Sequence, residues 1–175
     1  MTTERSRTIP VLALLAVAAA GALEAQTVPT CAADEHGQFD FWIGDWDVGP
    51  AGTTRIESHN EITSILGGCV IFENYDTPQG YAGQSFNAYD RRTGKWHQTW
   101  VDNTGSVLKL DGGLVDGRMV LSGPGRDQQG DDVLNEIVWT PHADGTVQQT
   151  WRLSKDGGQT WSTVFDGIYR RRQSP

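Results

Sequence analysis

The feature that most limits the fold of this chain is a repeated switch between short runs of alternating aromatic, β-branched and polar residues and brief turn signals rich in Gly, Asp and Asn. Asp90-Arg91-Arg92-Thr93-Gly94, Asp116-Gly117, Ala143-Asp144-Gly145 and Asp156-Gly157-Gly158 each place residues that tolerate positive φ between two strand-like runs. Strands joined so tightly pair with their sequence neighbours, so the pattern predicts an antiparallel meander. The runs fall at Phe41–Val48, Thr54–Ser58, Glu61–Ile65, Cys69–Asp76, Gln84–Asp90, Lys95–Asp102, Val107–Leu114, Arg118–Ser122, Val133–Thr140, Thr146–Ser154 and Ser162–Arg171. Gly123–Asp132 reads as a loop at a barrel mouth. No internal repeat supports a propeller. The expectation is therefore all-β: an antiparallel up-and-down barrel of about eight to ten strands.

Arg5 and Arg7 precede an apolar run, Ile9–Leu23, that ends in small residues, the form of a secretory signal with cleavage after Ala22 or Ala25. The run is shorter than the roughly 20 apolar residues a span needs, so no stable membrane insertion is expected after cleavage. The expected organisation is a signal over residues 1–25, an irregular arm over 26–38 and a single barrel domain over 39–172. A mature chain of about 150 residues buries roughly two-thirds of its unfolded surface, so folding requires no cofactor or partner, and a monomer or small homo-oligomer is expected. A periplasmic or secreted location lets Cys31 and Cys69 pair. A disulfide there is the first expectation, two buried free thiols the alternative. The formal charge of −8 argues against nucleic acid and anionic membrane as partners.

The segment Gln38-Phe39-Asp40-Phe41-Trp42-Ile43-Gly44-Asp45-Trp46-Asp47-Val48 contains Gly44-x-Trp46, which resembles the opening strand of lipocalin-like, or calycin, barrels. The resemblance implies that Trp46 closes the base of the barrel under an arginine from near the chain end. Tyr169-Arg170-Arg171 offers candidates, and Arg170 is given that structural role. The wider set FDFWIGDWDV, GGCVIFENY, SFNAYDRRTGKWHQTWVD, IVWTPHADGTVQQTW and DGGQTWSTVFDGIYRR resembles a bacterial family of exported proteins of unknown function with that barrel. The family's function is unknown, so the resemblance assigns no catalytic residue. Nitrobindin-like haem barrels are similar in shape and carry an axial histidine on a late strand; no histidine follows His142 here. Ser154-x-Asp156-x-Gly158-x-Thr160-Trp161 resembles one Asp-box turn of sialidase-like propellers, which implies that Asp156 and Ser154 brace the turn and Trp161 packs beneath it.

Strand alternation sorts candidates for a pocket. Trp96, Gln98, Trp100 and Asp102 share one face, and His97, Thr99 and Val101 the other. Ser85, Asn87 and Tyr89 form a second mixed set, Val147, Gln149 and Trp151 a third, and Phe165, Gly167 and Tyr169 a fourth. Faces that combine aromatic area with hydrogen-bonding groups suit a cavity for a flat or amphipathic molecule better than a purely packed interior. Trp96, Trp100, Trp151 and Tyr169 are the expected walls, with Asn87, Gln98 and Gln149 as polar anchors. The histidines His36, His59, His97 and His142 lack paired ligand spacing, so no metal is expected. Among the carboxylates Asp40, Asp45, Asp47, Glu57, Glu61 and Glu73, most read as solvated.

The leading expectation is an exported barrel that binds a small apolar or amphipathic molecule, with no cofactor. A cyclase, isomerase or lyase in the same cavity, with acid–base help from Asp102, His97 or Tyr89, is the second. A glycan or surface module that exposes Trp42, Trp139 or Trp161 is the third. No nucleotide-binding or Gly-x-Ser-x-Gly signature is present.

Overall fold

The computed structural model describes residues 31–173, so the signal-like segment and the first part of the arm lie outside the described residues. Ten strands follow one another: β1 (Gly44–Pro50), β2 (Ser58–Ile65), β3 (Val70–Asp76), β4 (Ala82–Asp90), β5 (Lys95–Asp102), β6 (Val107–Val115), β7 (Arg118–Arg126), β8 (Asp132–Pro141), β9 (Val147–Ser154) and β10 (Ser162–Arg171). Each pairs antiparallel with its sequence neighbour, and β1 pairs with β10, so the sheet closes into an up-and-down barrel. Closure leaves no strand edge free to template another chain.

Three expected boundaries shift, each for a packing reason. The first run does not begin as a strand at Phe41: Asp40–Trp42 is a 3-10 turn and β1 starts at Gly44. The turn puts Phe39 and Trp42 on one side, where their rings stack at 4.9 Å inside the barrel end. The two runs at Thr54–Ser58 and Glu61–Ile65 are replaced by the single strand β2, because Asn60 is buried and hydrogen-bonded inside the barrel instead of turning the chain. The expected loop at Gly123–Asp132 shortens to a tip between β7 and β8, which pair through Gly123 with Asn135 and Arg126 with Asp132.

One end of the barrel is plugged. Phe39, Trp42, Trp46, Trp96, Trp139 and Tyr169 are each no more than 2% exposed and form one aromatic mass. Fully burying an aromatic side chain contributes about 2 to 3 kcal/mol, so this plug is a large part of the apolar stabilisation, beside the buried aliphatic side chains of the same core. The indole of Trp46 donates to the Trp42 carbonyl at 2.8 Å, tying β1 to the turn before it. The cation over Trp46 is Arg171, 4.0 Å from the ring centre, and not Arg170. Pairing decides this: Arg171 lies opposite Trp46, whereas Arg170 lies opposite Asp47 and donates to the Thr53 carbonyl. Gly44, at φ 154, makes room for it, since a Cβ there would sit 1.7 Å from the guanidinium. The Gly-x-Trp spacing is thus a steric requirement of the cation–π lid.

Cys31 and Cys69 form a disulfide that ties the arm to the turn before β3 across a separation of 38 residues. Such a bond fits an oxidising compartment. At the opposite end, Asp156 accepts from the N–H groups of Gln159 and Thr160 at 3.0 and 2.8 Å, Ser154 accepts from the Gly158 N–H at 2.8 Å, and Trp161 donates to the Gly158 carbonyl at 3.1 Å. No helix among the described residues is long and apolar enough to cross a membrane.

Candidate functional site

Above the aromatic plug the inward faces of β2 to β5 turn polar. Asn60, Glu73, Ser85, Asn87 and Gln98 are each 4% exposed or less. Period-two alternation puts them on the inside: Glu73 lies between Ile71 and Tyr75, and Ser85 and Asn87 between outward Gln84, Phe86 and Ala88. Register then makes Glu73 the cross-strand partner of Ser85, and Asn87 that of Gln98.

These side chains form one connected belt. Gln98 Nε2 donates to Asn87 Oδ1 at 2.8 Å, Asn87 Nδ2 donates to Ser85 Oγ at 2.8 Å, and Ser85 Oγ donates to Glu73 Oε2 at 2.6 Å. From the other side Asn60 Nδ2 donates to Glu73 Oε1 at 2.8 Å. Tyr169 accepts from Asn60 at 3.3 Å and donates to Gln149. A buried belt of this kind holds its members in single rotamers, because any broken link would leave a polar atom unpaired in low dielectric.

Glu73 is the centre of the belt. Burial pushes its carboxyl up to about 7, against the hydrogen bonds from Ser85 and Asn60 that favour the ionised form. Burial also raises the hydroxyls of Tyr169 and Tyr75, each further disfavoured from ionising by the charge on Glu73. Glu73 departs from the solvated state expected of most carboxylates here, since strand alternation carries it inward with Ile71 and Tyr75.

Over the belt stands a cavity of about 490 Å³, within the usual range for a small-molecule site. Glu73, Gln98, Gln149 and Tyr169 reach its floor, and Trp100, Trp151, Tyr75, Phe165, Leu108 and Ile137 form its walls. Trp100 packs edge-on to Tyr75 with ring centres 6.2 Å apart. Gly83 lets the Trp100 ring lie across β4, because a Cβ there would stand 2.2 Å from it. The Trp151 indole donates to Asn135 Oδ1 at 3.0 Å.

The mouth is formed by the tips after β5 and β7. Asp102 anchors one of them. Burial raises its carboxyl, but donors from the Thr104 hydroxyl and N–H, the Trp100 indole and the Ser106 N–H outweigh that and hold it at about 2. It is therefore a fixed anion that shapes the turn, poorly matched to proton transfer near neutral pH.

Gln98, Trp100, Gln149, Trp151, Tyr169 and Asp102 meet around the cavity. The other candidates lie elsewhere. Asn87 sits within the belt, fully buried. Trp96 belongs to the plug, its indole donating to Gln38 Oε1 at 3.1 Å. Tyr89 packs beside it, 6.3 Å from Trp96 and 5.5 Å from His36. His97 points outward and bonds Asp111 and Thr99, each at 2.8 Å. Glu73, Tyr75 and Asn60 are the functional candidates that the reading of single faces passed over, whereas Ser85 stood in the same face set as Asn87; the alternation of β3 carries the signal for the first two.

Among the described residues no group of three or more His, Cys, Asp or Glu side chains is placed to hold a metal. The fold and cavity define an all-antiparallel, ten-stranded closed barrel with one plugged and one open end, an architecture compatible with a calycin-like fold. No protein-family model matches the chain, and no curated protein matches it at a significant level.

Proposed function

We propose that this protein is an exported barrel, of the kind found in exported bacterial proteins of unknown function, that binds one small amphipathic molecule in its open-end cavity. The observation that supports this most directly is the composition of the cavity: aromatic walls over a pre-ordered polar floor, open to solvent at one end. The walls bury the apolar body of a ligand, and the belt orients its polar end without paying a new ordering cost on binding. Full burial of Trp42 and Trp139 removes both from any glycan-stacking surface.

The test is native mass spectrometry of the mature protein, exported with its own leader and compared with its denatured mass. A co-purifying mass released on unfolding, and lost in Trp100→Ala and Trp151→Ala, supports binding. A wild-type protein that carries no added mass, and takes none up from an extract of the producing cells, overturns it.

Glu73 favours a second reading, a catalyst in the same cavity. Its carboxyl, near 7, is matched to accept and return a proton at neutral pH, beside the Tyr169 hydroxyl, which stays protonated. In that case the compound released after incubation differs from the one taken up in chromatographic retention or fragmentation, since an isomerisation conserves mass, and Glu73→Gln returns it unchanged.

A further inference from the structure

Among Gln98, Asn87, Ser85, Asn60 and Glu73 the shortest side-chain hydrogen bonds of the polar belt run in one direction, toward Glu73, while Asn87 and Asn60 also donate to the Ile71 carbonyl and the Tyr169 hydroxyl at 3.1 and 3.3 Å. Gln98 gives to Asn87, Asn87 to Ser85 and Ser85 to Glu73, while Asn60 gives to the second Glu73 oxygen. A chain with that polarity ends on a carboxylate, a group that only accepts. Yet Glu73 makes no ion pair among the described residues. Arg126, which lines the cavity, faces Asp132 at 3.4 Å, and Lys155 is held by Asp127 of the mouth at 2.6 Å and Asp131 at 2.8 Å. A buried anion without a counter-charge is costly.

We infer that the cavity takes a ligand whose buried end is a protonated nitrogen, with Glu73 as its counter-ion and the rings of Tyr75, Trp100 and Trp151 around it. This rests on the cavity-binding reading and adds the ligand's charge to it. The aromatic faces attract a cation independently of the carboxylate. An anionic ligand would instead meet Glu73 on the floor and Asp102 and Asp127 at the mouth.

The groups that face Glu73 let its titration be seen cleanly. Asn60 on β2, Ser85 on β4, Gln98 on β5 and Gln149 on β9 do not titrate, and Tyr169 on β10 and Tyr75 on β3 are both raised above the ordinary tyrosine range. Asp102 and Asp127 stand at the mouth, and hydrogen bonds, with Lys155 the first of those at Asp127, hold both carboxyls below the ordinary range.

The test is calorimetric titration of the mature protein with three probes of equal size: naphthylethylamine, naphthylethanol and naphthylacetate. At about pH 8 the amine is expected to bind about tenfold or more tightly than the other two, the scale of one charge-assisted hydrogen bond. The amine stays protonated throughout, so its affinity should fall roughly tenfold from about pH 8 to about pH 6 as Glu73 gains a proton. Glu73→Gln should lose the amine preference, the amine then binding no more tightly than the alcohol. Alcohol or carboxylate binding as tight as the amine to the wild-type protein, or an amine preference that survives Glu73→Gln, overturns the inference alone. Failure of all three probes to bind overturns the cavity-binding reading with it.

Discussion

At the plugged end Trp42, Trp46, Trp96 and Trp139 are buried to 2% or less, and the indole N–H groups of Trp42 and Trp139 have no partner among the described residues. At the open end Trp100 and Trp151 are only partly buried, and their indole N–H groups are held by Asp102 and Asn135 at 3.2 and 3.0 Å. The same residue type therefore serves as filler below the belt and as wall above it. What differs is the chain that enters the barrel. The turns around Phe39 and Trp42 fold into one end and complete its packing, whereas the other end is bordered by hairpin tips. Plug rings are held by packing on every side, with indole hydrogen bonds at Trp46 and Trp96 in addition, whereas a cavity wall stands without a neighbour on its inner side, and the hydrogen bonds at the edges of Trp100 and Trp151 fix those rings.

The contrast can be broken most severely at the plug. Trp46→Ala removes a fully buried ring and the seat of Arg171, and should cost about 5 kcal/mol in urea unfolding. A loss no larger than that of Trp100→Ala would mean that the two ends are energetically alike. Next comes the disulfide. Its reduction should cost about 4 kcal/mol, the loop-closure entropy of its span, seen as a lower unfolding midpoint with reductant present. Because the bond anchors the arm, reduction should also expose the Phe39 and Trp42 region to protease before the open end is cut.

The belt gives a smaller effect with a definite sign. Glu73 has a folded value of about 7, above its ordinary value of 4.5. Between these the native state keeps a proton that the unfolded state has lost, so stability is highest below the lower value and falls as pH rises to the upper one. The fall should be on the order of 3 kcal/mol, and absent in Glu73→Gln. Parallel pH profiles of unfolding for the two proteins would place Glu73 in solvent. The smallest stability effect is expected at the wall: Trp100→Ala should cost about 1 to 2 kcal/mol, since the ring is half-buried, while ligand retention in native mass spectrometry is lost.

The strand faces were legible because alternation is a local property. Trp100, Gln98 and Asp102 point inward together for the same reason that His97 and Thr99 point outward. The depth of a residue along the barrel was not legible, and Trp96 shows why. It shares a face with Trp100, four residues away, but lies in the plug, because only strand tilt and register decide which layer a position joins. Glu73 escaped for a related reason: a single carboxylate in a polar stretch reads as solvated until the neighbours that satisfy it, Asn60 and Ser85, are known to meet it.

The sequence by itself determined the architecture and the pairing partners, since tight turns make consecutive strands neighbours, and an even spread of short strands closes on itself. It also determined that Cys31 and Cys69 were free to pair, and the resemblance to calycin barrels implied that Gly44 and Trp46 belong together. Only the tertiary structure decided that Arg171 covers Trp46, that the arm seals one end, and that Glu73 stands on the floor of the other, hydrogen-bonded by Ser85 and Asn60 but without a counter-charge among the described residues. Those facts depend on strands far apart in sequence meeting in one register. Alternation along a single strand carries no information about that register.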